Sequence, residues 1–176
     1  MNPEPKTITL FGSGKAVSGD GLFELAFTVG QTVGQRGYTL ANGGYGGTML
    51  AAAQGAREAG GQVIGVTCKA LGRSDPNAYV TEERVTEDLD ERLVTLVQLG
   101  DAYGVLPGAT GTLLELARVW EFANKGLMAR PKPIVFIGEF WRPLVALMAA
   151  KDTDCMRHIC QVQNAVAFGT LLSEKL

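Results

Sequence analysis

Histidine is almost missing from this chain, and His158 is the only one. A Ser–His–Asp or Cys–His catalytic group needs a positioned imidazole, and a single late histidine does not support one. Cysteine is scarce as well. Cys68, Cys155 and Cys160 are odd in number and irregularly spaced, which predicts free thiols rather than a disulfide framework. A zinc site built from Cys155, His158 and Cys160 would be one ligand short, so no metal is expected. The chain has no run of 18 or more apolar residues, which excludes a membrane-spanning helix. Its start, MNPEPKTITLFG, lacks the apolar stretch of a secretory signal, so the expected location is the cytoplasm. Charge of one sign is also lacking. A net charge of -2 and a pI near 5.5 give no basic face for tracking phosphates, and no nucleic-acid partner is expected. Two sequence signatures are absent too. No G-K-[ST] marks a Walker loop, and no G-x-G-x-x-G is followed at the right distance by a ribose-binding acid.

What is present is an alternation. Its 176 residues, 46% hydrophobic and 19% charged, predict one soluble domain over 1–176 with a sizeable core. Short apolar runs read as strands at 7–11, 38–41, 62–66, 102–106 and 133–138, and HICQV near the end adds another. Between them, spacings of three and four predict helices at 21–36, 47–59, 112–125, 140–150 and 166–175. Asp88 caps a further helix, with Glu91 three residues on as in a capping box. Residues 68–82 read as a loop centred on GRSDPN, followed by a short extended piece at 83–87. Such an order predicts an α/β, Rossmann-like three-layer sandwich with a mainly parallel sheet.

Three predicted strand ends carry small residues. They are FGSG with Gly12 and Ser13, NGGYGGT with Gly43, Gly44, Gly46, Gly47 and Thr48, and PGATGT with Gly108, Ala109, Thr110, Gly111 and Thr112. Ligands bind beyond the carboxyl ends of strands in open α/β sheets. Glycine lets backbone N–H groups approach an anion, and a following helix adds free N–H groups with a partial positive charge. The threonines would add hydroxyl donors. These loops predict a nucleotide or another phosphorylated small molecule as ligand.

Two charges stand out. In the helix after PGATGT, the apolar arc holds Leu113, Leu116, Ala117, Val119, Trp120, Phe122 and Ala123, with Arg118, Glu121 and Lys125 opposite. Glu115 falls at the edge of the arc, in the first turn, where a helix stabilises a carboxylate. In the preceding helix Arg92 lies within the apolar stripe, between Leu96 and Leu99. An arginine there snorkels, pairs with a carboxylate or faces a ligand. Both helices flank the strand at 102–106, so the two charges are expected to meet near its ligand-binding end.

These residues resemble a known family. PGATGTLLE resembles the PGGxGTxxE motif of the LOG ("lonely guy") family, also known as possible lysine decarboxylases. NGGYGGTML resembles its GGGxxGLMG, GGQVIGVTCKAL its GG-x-VIGV-x-P, DLDERL its M-x-x-RK and FGSG its CGSS. The resemblance runs in order from about residue 7 to 148. It implies a Rossmann-like, usually dimeric protein that cleaves the N-glycosidic bond of nucleoside 5′-monophosphates. By the same resemblance Arg92 and Glu115 take the catalytic positions, and the glycine loops take the phosphate. Nothing here resembles a lysine that would hold pyridoxal phosphate, and no cofactor is expected. The chain departs from the pattern at Asn42, Thr48 to Leu50, Cys68, Leu93 and Ala109. Ala109 adds a methyl group where the family has glycine, and Leu93 removes a lysine expected on the substrate side. In this the chain resembles the related molybdenum-cofactor carrier proteins, which share the fold and bind a phosphorylated pterin without hydrolysing it. A non-catalytic carrier or sensor is therefore the second expectation.

Overall fold

The computed structural model describes residues 5–72 and 75–176. Among these residues seven strands form one sheet: β1 (Thr7–Phe11), β2 (Thr39–Asn42), β3 (Val63–Cys68), β4 (Glu82–Thr86), β5 (Ala102–Val105), β6 (Ile134–Ile137) and β7 (Ile159–Val162). Their order is β4-β3-β2-β1-β5-β6-β7, and every pairing is parallel. The expected mainly parallel sheet is thus wholly parallel. Strands β1, β2, β3, β5 and β6 are buried almost without a break, as strands covered on both faces must be. At the β4 edge the pattern changes: EERV is exposed, and its charges guard the open outer edge of the sheet.

Among the described residues six α-helices cover the sheet: α1 (Gly21–Gln35), α2 (Thr48–Glu58), α3 (Leu89–Leu99), α4 (Thr110–Asn124), α5 (Arg142–Lys151) and α6 (Ala165–Lys175). None of the described helices is long and apolar enough to cross a membrane. One layer joins α1, α2 and α6 through Phe23, Val29, Val33, the Ala51–Ala53 run, Phe168 and Leu172. The other joins α3 and α4 through Leu93, Leu96, Leu116, Val119 and Trp120 to the opposite face of the sheet. Helices α1 and α2 pack backbone to backbone. A Cβ at Gly30 would stand 2.0 Å from the Ala52 carbonyl oxygen, and one at Gly55 would stand 2.1 Å from that of Phe27.

Among its described residues, the predicted loop at 68–82 contains one 3₁₀ turn, at Lys69–Leu71, before β4. Arg73 and Ser74 of its GRSDPN centre lie outside the described residues. The predicted capping box is present in altered form. Asp88 Oδ1 accepts the Glu91 N–H, while Glu91 Oε2 accepts the N–H of Glu87 rather than of Asp88. Helix α3 then carries the chain from the β4 edge back to β5, which pairs with β1. The strand order therefore reverses between β1 and β5. Such a reversal opens a crevice between the loops that follow the two strands.

Candidate functional site

The crevice at the reversal is lined by Gly12, Ser13, Gly14 and Lys15 after β1, and by Ala109, Gly111, Thr112 and Glu115 at the start of α4. Tyr45, Met49, Leu71 and Arg92 close it, around a volume of about 270 Å³. A larger cavity, about 920 Å³, opens at the opposite edge, beside the strand starts at Thr7, Thr39 and Glu82. None of the described helices begins there, and in this fold ligand chemistry belongs at the carboxyl ends of strands. The smaller cleft is the candidate site.

Its glycine loop is held by an asparagine. Asn42 is fully buried; its Oδ1 accepts the Gly44 N–H (2.8 Å) and its Nδ2 donates to the Met49 carbonyl (3.0 Å). The departure from glycine at 42 thus adds a cross-brace. Asn77 clamps the same loop from outside, donating from Nδ2 to the carbonyls of Gly44 (3.1 Å) and Tyr45 (2.9 Å). The Tyr45 hydroxyl accepts the Cys68 N–H at 2.8 Å, which fixes the ring as one wall of the cleft.

Two glycines are dictated by close approach. Gly47 has φ 67, and a Cβ there would stand 2.2 Å from the Ser13 carbonyl oxygen. A Cβ on Gly43 would stand 1.8 Å from Arg92 Nη2. Gly12 and Gly108 make room for Thr48 and Thr112 respectively. Gly46 has open space around it, is exposed and does not line the cleft. The threonines divide in an unexpected way. Thr48 turns inward, and both its N–H (2.8 Å) and its hydroxyl (3.1 Å) donate to the Ser13 carbonyl. It ties the loop after β1 to α2 and does not line the cleft. Thr110 is exposed and outside the lining, whereas buried Thr112 lines the cleft.

Helix starts differ in the same way. Asp20 caps α1, accepting the Phe23 N–H at 2.7 Å. No side chain caps α4, so the first-turn N–H groups beside Ala109 and Gly111 are open to an anion. Ala109 has φ -104 and ψ -152, an extended backbone that any residue adopts, so its methyl group introduces no strain. Lys15 lines the same space. Leu93 corrects the expectation of a lost substrate-side charge. It is 8% exposed and packs into the apolar layer beneath α3, so this position faces the core.

Arg92 and Glu115 meet as expected. Arg92 Nη1 lies 3.8 Å from Glu115 Oε1, with the side chains 13% and 16% exposed. Arg92 Nε donates to the Val66 carbonyl at 2.8 Å, and its guanidinium lies 5.8 Å from the Tyr45 ring centroid. A separation of 3.8 Å exceeds hydrogen-bond length, so the carboxylate keeps its lone pairs for another partner. Burial pushes the Glu115 carboxyl up to about 7, against the lowering effect of Arg92.

That shift has a consequence for stability. Between about 4.5, the ordinary value, and about 7 the folded chain holds a proton that the unfolded chain has released. The contribution is full below 4.5 and lost as pH rises through 7. On this count stability is expected to fall by about 3 kcal/mol over that window. Denaturant titrations at several pH values check this, and Glu115→Gln should flatten that part of the slope. An unchanged slope in the variant would contradict it.

Residues 49–166 match the family described as possible lysine decarboxylase. The chain is 31% identical over 147 residues to a cytokinin riboside 5′-monophosphate phosphoribohydrolase of Rhodococcoides fascians, covering 82% of this chain and 74% of that protein. The chain belongs to the LOG family. The phosphoribohydrolase of the same name from Mycobacterium tuberculosis is 38% identical over 118 residues, 66% of this chain and 62% of that one. LOG proteins of this kind thus extend beyond the stretch that this chain matches. The fold is also that of a molybdenum cofactor binding protein from Rippkaea orientalis, with a TM-score of 0.80, 22% identity and 98% of each chain covered.

Helix α4 departs from its wheel in two respects. Leu113 and Ala117, expected in the buried arc, are exposed beside Leu114. Arg118, expected on the polar face, lies 4.1 Å over the Phe122 ring, with its Nε shielded from water. The wheel shows that an arc is apolar but not which half of it meets the same chain. Of the remaining cleft residues, Tyr45, Met49 and Leu71 gave no sequence signal of their own.

Proposed function

We propose that this LOG-family chain is a nucleoside 5′-monophosphate phosphoribohydrolase, releasing free base and ribose 5-phosphate from one nucleotide and one water. The observation that carries the proposal is the convergence of Arg92 and Glu115, 3.8 Å apart, beside the uncapped start of α4. The 5′-phosphate would sit on the first-turn amides of α4, with Thr112 and Lys15 beside it. The remote phosphate then positions the sugar, and binding energy is converted into alignment. As the C1′–N bond breaks, positive charge develops on the sugar ring, and an ionised Glu115 stabilises it or orients the attacking water. Arg92 keeps Glu115 ionised to lower pH than burial alone would allow, and it polarises the departing base or anchors the phosphate. The proton gained by the base comes from the water.

The test is chromatography of free base from a panel of nucleoside monophosphates, including AMP and a cytokinin riboside monophosphate. Release from at least one nucleotide is expected. Nucleotide that binds and returns intact would favour a carrier, the second reading that the shared fold of the Rippkaea orientalis protein supports.

The same reading includes a single domain over 1–176, a cytoplasmic location and a homodimer. Leu113, Leu114 and Ala117 lie exposed on α4, and Leu147 and Met148 on α5; Ala117 and Met148 border one shallow groove. A second copy of this chain would cover that apolar face. Light scattering at micromolar concentration is expected to give twice the 18.7 kDa chain mass, and Leu114→Asp to give a monomer. A wild-type monomer would sink the dimer.

A further inference from the structure

A second pocket lies between the same two helices, away from the cleft. It occupies about 300 Å³ beside the later turns of α3 and α4, under residues 127–132. That is at the small end of the range for organic ligands. Its walls are apolar: Val94, Val97, Phe122, Leu127 and Met128. Leu127 is 62% exposed, so an apolar surface is left uncovered. Two cations, Arg118 and Lys132, also line it, and no carboxylate does.

These cations have no anionic partner among the described residues. Arg118 lies over the Phe122 ring, and its buried Nε has no hydrogen-bond acceptor. Lys132 Nζ sits 5.7 Å from the Tyr103 ring centroid. Burial, and then Arg130, lower its pKa. Asp101 is already engaged, since it pairs with Arg130 and accepts the Thr7 N–H. The Tyr103 hydroxyl donates to the Val97 carbonyl at 2.6 Å. Service to the ends of α3 and α4 does not explain Arg118, which sits mid-helix rather than in a last turn. Both cations are half-buried, and the shielded Arg118 Nε lacks an acceptor that an anion in the pocket would supply.

We propose that this pocket binds a small organic carboxylate, with the carboxylate on Arg118 and Lys132 and an apolar or aromatic body against Val94, Val97, Phe122, Leu127 and Met128. Charge and shape both enter the selection. A neutral analogue leaves the cations unpaired, and a carboxylate without a body leaves the apolar wall wet.

The test is a titration of the whole protein with 4-fluorobenzoate, followed in amide ¹⁵N–¹H spectra, with 4-fluorobenzamide as the neutral control. Saturable shifts at one site per chain are expected at residues 94–98 and 122–132. Affinity should fall at least tenfold in Lys132→Gln and in Arg118→Met, and should persist in Glu115→Gln. Dispersed spectra show that a variant remains folded, and two variants guard against the loss of either. The proposal is overturned by an absence of saturation, by equal binding of the amide, by full affinity in both cation variants, or by shifts confined to residues 12–15 and 109–115.

Discussion

Glu115→Gln is expected to lower kcat for base release by about 10³-fold while leaving the protein folded. The substitution keeps the size of the side chain and removes its charge. Nothing in the cradle changes, because Gly111, Thr112 and Lys15 still line the cleft, so KM should move far less than kcat. Such a split marks a group that acts in the transition state rather than in binding. The wild-type pH profile should agree. The active form is the carboxylate, so kcat/KM is expected to rise with pH through about 7, where Glu115 ionises. Initial rates from pH 5 to 9 check both statements. A variant with wild-type kcat would remove Glu115 from the chemistry.

Gly43→Ala is expected to cost about 10²-fold in kcat/KM, the scale on which a misplacement of 1 Å acts. The added methyl would stand 1.8 Å from Arg92 Nη2 and 2.6 Å from Met49 Sδ. Both are ends of flexible side chains, so the fold gives way there rather than unfolding. The guanidinium must leave its place, and its hydrogen bond to Val66 and its approach to Glu115 go with it. Without that cation nearby, Glu115 loses the influence that lowers its pKa, and the activity profile should move to higher pH. Gly46→Ala is the control, since nothing beyond its two chain neighbours lies within 4 Å of the Cβ position there. Equal rates for the two variants, read in the same assay, would contradict the close fit of Gly43 to Arg92.

The sequence shows the site unevenly, and the reasons are physical. Arg92 and Glu115 are legible because helical periodicity flags a charge on an apolar face, and because their helices flank one strand. The crevice is legible because parallel strands place their loops on one edge. Contacts made across the sheet are not. Asn42 reads as a lost glycine, yet its amide supplies two of the hydrogen bonds that hold the loop. Thr48 reads as a donor to a ligand, yet the carbonyl of Ser13, 35 residues away, accepts its hydroxyl hydrogen bond. Leu93 reads as a lost charge only through the family resemblance, since helical spacing already places it in the apolar stripe of α3, where it packs. Tyr45 sits inside a glycine motif, and its anchoring to Cys68 depends on a pairing 23 residues distant.

The most direct measurement is a crystal structure of Glu115→Gln with AMP. The account predicts the 5′-phosphate on the amides at the start of α4, between Gly12–Lys15 and Ala109–Thr112, with C1′ next to residue 115 and Arg92. A nucleotide bound elsewhere, or bound here with its base at α4 and its phosphate facing solvent, would contradict it.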